Sequence, residues 1–245
     1  MGKVLAFVSG KGGTGKTSTC AAVASCLSAM GDRVLCIDLD VGLRNLDLSL
    51  GMGAEPLLPF TDLVRGDYEL DQIEPNERLS GLKMLSAPVT IRPEEIDEAA
   101  FGRFLDRCRE AFDWCLLDAP AGIGAGFRLS ALFADECIVV TGGDVGALRD
   151  GAAAAVQLRT ITDAPARVLV NRVSPKLMRK MQKTVDDVMD TVGLPLLGIV
   201  PEDSAVPLAS AKDTPLVLYE QSGAARACLR IARRIKGIKT PLTAK

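Results

Sequence analysis

Residues 10–17 read Gly10-Lys11-Gly12-Gly13-Thr14-Gly15-Lys16-Thr17, between an apolar run at residues 4–8 and a helical pattern carried by Cys20, Val23, Leu27 and Met30. No other feature restricts the fold of this chain so tightly. The string satisfies G-x-x-x-x-G-K-[ST] in full, with a strand before it and a helix after it. Glycines let successive backbone N–H groups turn inward around an anion, and the following helix aims its positive end at the same point. Lys16 can then reach the β- and γ-phosphates of a nucleotide, and the Thr17 hydroxyl can ligate Mg2+. A glycine-rich turn that binds nothing is the bland alternative. A dinucleotide site is a weaker one, because the second strand ends in more carboxylates than such a site needs.

The rest of the chain repeats the strand–helix alternation. Runs rich in Val, Leu and Ile occur at residues 3–9, 33–38, 82–86, 114–118, 136–141, 167–171 and 194–200. They are nearly continuous rather than alternating, which predicts strands covered on both faces. Between them lie helices with readable ends. Ser174-Pro175 predicts an N-cap and first turn, followed by a stripe of Met178, Met181, Val185, Val188 and Val192 that Gly193 closes. Pro93 predicts another helix start, with Glu94 and Glu95 in the first turn and Ile96, Ala100, Phe104 and Cys108 on one face. Alternation of this kind means right-handed crossovers and a doubly wound, mainly parallel sheet with helices on both faces, an α/β fold of three layers. One P-loop domain over residues 1–237, with a short basic tail at 238–245, is the economical division. Residues 51–81, rich in Gly, Pro and acids, are expected to be a surface excursion with short helical pieces.

Composition removes several chemistries. The 245 residues include no histidine, which excludes a Ser-His-Asp triad, a Cys-His dyad and any His-ligated metal. Any general base must be a carboxylate, a lysine, a thiolate or water. Seven cysteines without a C-x-x-C spacing, most of them inside apolar runs, predict buried reduced thiols and a cytoplasmic protein without a zinc or iron–sulfur site.

Carboxylates follow the apolar runs where ligands of doubly wound sheets bind. Strand two ends in Asp38-Leu39-Asp40 and a later strand in Asp118-Ala119-Pro120-Ala121-Gly122. Asp118 fits the role of holding Mg2+, directly or through water. Asp40 fits that of polarising an attacking water, and Asp38 that of binding a metal-bound water or Lys16. The plain alternative for each is a helix N-cap. Lys11 is not needed to hold the phosphates of its own loop. It either supports that loop electrostatically or projects to a γ-phosphate held by another subunit, as an arginine finger does.

These residues resemble the ParA/MinD superfamily. Gly10–Thr17 with Lys11 is similar to its deviant Walker A box, and the run Asp38-Leu39-Asp40-Val41-Gly42-Leu43-Arg44-Asn45-Leu46-Asp47 resembles the switch I of the MinD branch of septum site-determining ATPases. Residues 118–123 look like its switch II; Asn171-Arg172 and Pro201-Glu202-Asp203 resemble its adenine-side elements. The likeness extends to about Gly237. It implies ATP and Mg2+ as cofactors, with nucleotide contacts from residues 10–17, Ser18, Asn171, Arg172, Pro201, Glu202 and Asp203, and metal contacts from Thr17, Asp38 and Asp118. It implies catalytic roles for Lys11, Lys16 and Asp40 and an ATP-dependent homodimer with Lys11 reaching across the interface. It further implies patterning of the division site, slow turnover without a partner, and partners such as MinC and MinE.

The resemblance also implies binding at the inner face of the cell membrane. Relatives usually end in an amphipathic helix for that purpose, whereas here Ile-Lys-Thr-Pro-Leu-Thr-Ala-Lys follows Gly237 and Pro241 breaks any helix. Residues 223–245 do carry seven Lys and Arg and no acid, opposite a stripe of Ala227, Ile231, Ile235 and Ile238. That pattern predicts a helix docked on the sheet with a solvated basic face; anionic lipid or DNA backbone are the functional alternatives. Lys176, Arg179, Lys180 and Lys183 form a second basic cluster. A net charge of −2 does not suggest a dedicated DNA-binding protein. A ParA-type DNA-partitioning ATPase and a nucleotide-gated scaffold for polar or flagellar placement remain the alternative functions.

Overall fold

The computed structural model describes residues 1–41, 45–174 and 185–242. Seven strands form one sheet: β1 (Lys3–Val8), β2 (Val34–Asp38), β3 (Leu82–Leu85), β4 (Trp114–Asp118), β5 (Glu136–Thr141), β6 (Ala166–Val173) and β7 (Leu196–Pro201). Their order across the sheet is β3-β2-β4-β1-β5-β6-β7, and every pairing is parallel. Successive side chains of a strand point to opposite faces. In β1, accordingly, Val4, Ala6 and Val8 enter one core while Leu5 and Phe7 enter the other. Both faces are buried, which is why the strand sequences do not alternate.

The two cores are built differently. On one face α4 (Glu98–Ala111), α5 (Ala125–Leu132), α6 (Val145–Ile161) and α7 (Val185–Val192) cover an aromatic cluster in which Phe60 and Phe101 meet edge-on at 5.8 Å. On the other, α1 (Lys16–Ala29) lies between the sheet, α2 (Leu46–Leu50) and α10 (Gly223–Ile235). Residues Thr19 to Ser28 are all buried there, and the small side chains of Ala21, Ala22, Ala24 and Ser25 allow that close packing. The stripe read at Cys20, Val23, Leu27 and Met30 is only part of a helix enclosed almost all round. All seven cysteines are buried and unpaired.

Three expectations change. The helix expected at Pro93 starts at Glu98; Pro93–Glu95 is a separate 3-10 turn, and Ile96 is extended. Asp97 decides this boundary, because its carboxylate accepts the Ala100 N–H at 2.8 Å as an N-cap. The excursion at residues 51–81 is not only surface. Phe60 and Leu63 of α3 (Phe60–Arg65) and Ile73 are buried in the aromatic core. Ile238 leaves the stripe of α10 and is 48% exposed, because the helix ends at Ile235 and Gly237 turns the chain at a φ of 77°. Beyond that turn the Arg234 guanidinium donates to the carbonyls of Thr240 and Pro241. Residues 42–44 of the switch-like run, the first part of the helix expected from Pro175 (residues 175–184) with its basic cluster, and Lys245 lie outside the described residues.

Candidate nucleotide-binding site

The phosphate loop leaves the centre of the sheet at the end of β1. Gly10 is required by packing: a Cβ there would stand 2.1 Å from the Asp150 carbonyl of α6. Gly15 is required by both conformation and space. Its φ is 78°, and a Cβ would stand 2.3 Å from the Asn171 amide nitrogen. Directly after it, α1 begins, so the unpaired N–H groups of its first turn face the concavity of the loop.

The carboxylates converge because of strand register. Asp118 of β4 lies opposite Asp38 of β2 and next to Phe7 of β1. Lys16, 5% exposed, donates to Asp118 Oδ1 at 2.5 Å, and Asp118 is 1% exposed. Its second oxygen, Oδ2, is buried and accepts no hydrogen bond among the described residues. Buried carboxylate oxygens are normally satisfied, so this one marks a place for a further cation. Asp38, also 1% exposed, accepts the Asp40 N–H at 2.9 Å and caps no helix. Burial pushes its carboxyl up to about 7, with the Asp118 charge adding to the effect. Burial raises the Asp40 carboxyl as well, against the pull of Lys16. Two facing carboxylates, one of them held by Lys16, offer the oxygen donors that suit Mg2+.

Three cavities border the loop; one lies between residues 11–14 and Gly142–Asp144, and the other two share a wall. One, of about 390 Å3, holds residues 11–18 with Asp40 and Ala121. The other, of about 890 Å3 and more apolar, is bounded by Asn171, Arg172, Pro201, Glu202 and Asp203. Gly15, Ser18, Leu48 and Ser210 line both. The adjoining spaces suit a phosphate chain on one side and a base on the other. Asp203, expected at the base, also spends its carboxylate on backbone: Oδ1 accepts from Ala205 and Oδ2 from Ala224. Lys11 is exposed at the rim, and its ammonium has no ion-pair partner among the described residues. Leu48 and Ser210 were not foreseen. They come from α2 and α8 (Ala205–Ala211), and nothing local in either segment marks them for a ligand.

Residues 5–216 match the CobQ/CobB/MinD/ParA nucleotide binding domain. The septum site-determining protein MinD of Synechocystis sp. is 33% identical over 244 residues, covering 98% of this chain and 92% of that protein. The chain is a member of the MinD family. Solved structures agree with that assignment. MinD in the MinC:MinD cell division protein complex of Aquifex aeolicus superposes with a TM-score of 0.90 at 29% identity, covering 99% of this chain and 98% of that one. The Pyrococcus horikoshii septum site-determining protein MinD, complexed with Mg-ADP, gives a TM-score of 0.82 at 26% identity, covering 96% of each chain. These relatives place the chain with MinD septum site-determining ATPases and away from the DNA-partitioning alternative. Among the described residues of this MinD-family chain, no helix is long and apolar enough to cross a membrane.

Proposed function

We propose that the chain is an ATP hydrolase of the MinD type, a switch that dimerises with ATP bound and is reset by hydrolysis to ADP and phosphate. The observation that carries this reading is the buried Lys16–Asp118 pair beneath an amide-lined loop, with one Asp118 oxygen still unpartnered. The amides of residues 11–16 and the Lys16 ammonium bind the triphosphate, and the apolar cavity at Pro201 receives the adenine. Thr17, Asp38 and Asp118 hold Mg2+, which when bound neutralises charge on the phosphate oxygens. Asp40, at the mouth of the loop cavity, orients and polarises water for in-line attack on the γ-phosphorus. The bond from that phosphorus to the β,γ-bridging oxygen breaks as the bond to water forms, and the proton that water sheds passes to the Asp40 carboxylate. Lys16, together with Lys11 from the facing copy, stabilises the charge of the leaving ADP.

The exposed position of Lys11 supports its crossing to a second copy. A single copy then lacks part of its catalytic charge, so turnover is slow until a partner completes the site. The output is placement of the division site. A MinC-like protein is a partner, as the Aquifex MinC:MinD complex suggests; in this reading it docks on the ATP dimer, and a MinE-like protein stimulates hydrolysis. The protein works in the cytoplasm and at the inner membrane face, where the basic surface of α10 meets anionic lipid. Light scattering on the purified chain tests the switch. ATP with Mg2+ should double the mass of the wild type while ADP leaves a monomer, and Lys11→Ala should stay monomeric with either. A wild type that stays monomeric with ATP and Mg2+, or a Lys11→Ala variant that dimerises and hydrolyses normally, contradicts the reading.

A further inference from the structure

The phosphate loop is gripped from behind. Three consecutive carbonyls of the loop face the end of β6: the Asn171 amide donates to Thr14 O at 2.9 Å and to Gly15 O at 3.4 Å, and the Arg172 guanidinium donates to Gly13 O at 3.4 Å. Adjacent residues of a regular strand point to opposite faces and could not address one loop together. Here the strand is irregular. The β6–β7 register shifts between Val170 and Val173, and Arg172 takes a φ of 56°, one of only two non-glycine residues with positive φ among the described residues. A conformation of that kind is unfavourable for arginine and persists where the surroundings impose it. Its result is that two neighbouring side chains reach the same three peptide units. The second arm of the Arg172 guanidinium donates to Glu202 at 3.4 Å, tying the loop to the end of β7.

We propose that Asn171 and Arg172 are positioning residues that clasp the carbonyl edge of the phosphate loop and so set its amide edge for a polyphosphate before any nucleotide arrives. A peptide unit held by its oxygen has its N–H direction fixed, so holding three successive carbonyls orients the donors on the opposite side of the chain. Preorganised donors bind an anion without paying to be ordered first. The role differs from reading the base. A base-reading pair acts only on ligands that carry adenine, whereas the clasp acts on the phosphate chain of any ligand. The inference rests on residues 10–17 being the nucleotide loop.

Arg172→Asn is the informative variant, because asparagine tolerates positive φ and the exposed side chain carries no core packing. In nucleotide-free protein, the order parameter of the Thr14 N–H, which shares a peptide unit with the released Gly13 carbonyl, should fall from about 0.85 in the wild type to below about 0.6 in the variant. Calorimetry with Mg2+ and either ATP or inorganic tripolyphosphate should show both ligands weakened by the same factor. Asn171→Ala should weaken both further. An unchanged Thr14 order parameter in Arg172→Asn overturns the clasp, as does weaker ATP binding with tripolyphosphate binding intact. A wild type that binds neither ligand is a separate result and removes the reading of the loop itself.

Discussion

At the N-terminal end of the sheet, Asp113 just before β4 takes hydrogen bonds from the Arg33 guanidinium at 2.9 Å and from the Arg33 amide at 2.8 Å, which hold its carboxyl below the usual range. Nearby, Asp32 pairs with Lys236 and Asp135 accepts from Arg109 and the Val4 amide. At the C-terminal end of the same strands, Asp38 and Asp118 face each other with only Lys16 to share, one oxygen is left without a partner, and the Asp38 carboxyl rises to about 7. The residue type is the same and the burial and partnering are opposite. At one end each carboxylate is complete within the chain and serves the fold. At the other, the fold holds charges that only a ligand can complete, as expected where binding takes precedence over stability.

Substitutions at the two ends can break or sharpen this contrast. The largest effect is expected from Lys16→Ala, which leaves Asp118 buried without its cation. ATP affinity should fall by about 100-fold or more in calorimetry, and urea denaturation of the nucleotide-free protein should show a loss of about 3 kcal/mol. Next comes Asp40→Ala. Phosphate release should slow by about 100-fold, the usual weight of a general base, while ATP still binds and drives dimerisation.

Asp38 gives a pH signature of opposite sign to an ordinary surface carboxylate. With its carboxyl at about 7 in the fold against 3.8 unfolded, the native state keeps a proton that the unfolded state has already released. Stability therefore falls as the pH rises from about 4 to about 7. Asp38→Asn removes that penalty while keeping an oxygen for the Asp40 N–H. It should stabilise nucleotide-free protein by up to about 4 kcal/mol at pH 8 and by nothing near pH 3.5, read from denaturation curves across that range. The smallest effect belongs to the other end. Arg33→Ala removes an exposed, solvent-screened pair and should leave both the urea midpoint and the ATP affinity close to those of the wild type. A loss there as large as that of Lys16→Ala would erase the contrast between the ends.

Much of this was legible in the residues. Each apolar run became a strand within a residue or two, because strands buried on both faces leave no polar positions to confuse the pattern. The phosphate loop was legible because its spacing is local, and Asp38 and Asp118 because each ends an apolar run. What escaped depends on residues distant in sequence. Nothing near Leu48 or Ser210 shows that α2 and α8 close one cavity over Ser18. The helix expected from Pro93 was misplaced because Asp97, four residues on, is the better cap. The acids of residues 51–81 suggested surface, yet Phe60 and Ile73 are core. The sequence pattern named Asp38, Asp40 and Asp118 together, but only strand register shows that Asp118 holds Lys16. The positive φ of Arg172 has no sequence mark at all, since arginine adopts it only under the constraint of its neighbours.

The central claim is that the C-terminal end of the sheet is finished by a nucleotide together with a metal. Titrating ATP into the purified chain in a calorimeter, once with Mg2+ and once with a chelator, addresses it directly. One ATP should bind per chain, and removing the metal should weaken binding by tenfold or more, on the order of the 1.4 kcal/mol that a single lost charge contact carries. An absence of binding heat, or an affinity the chelator does not change, would contradict the account.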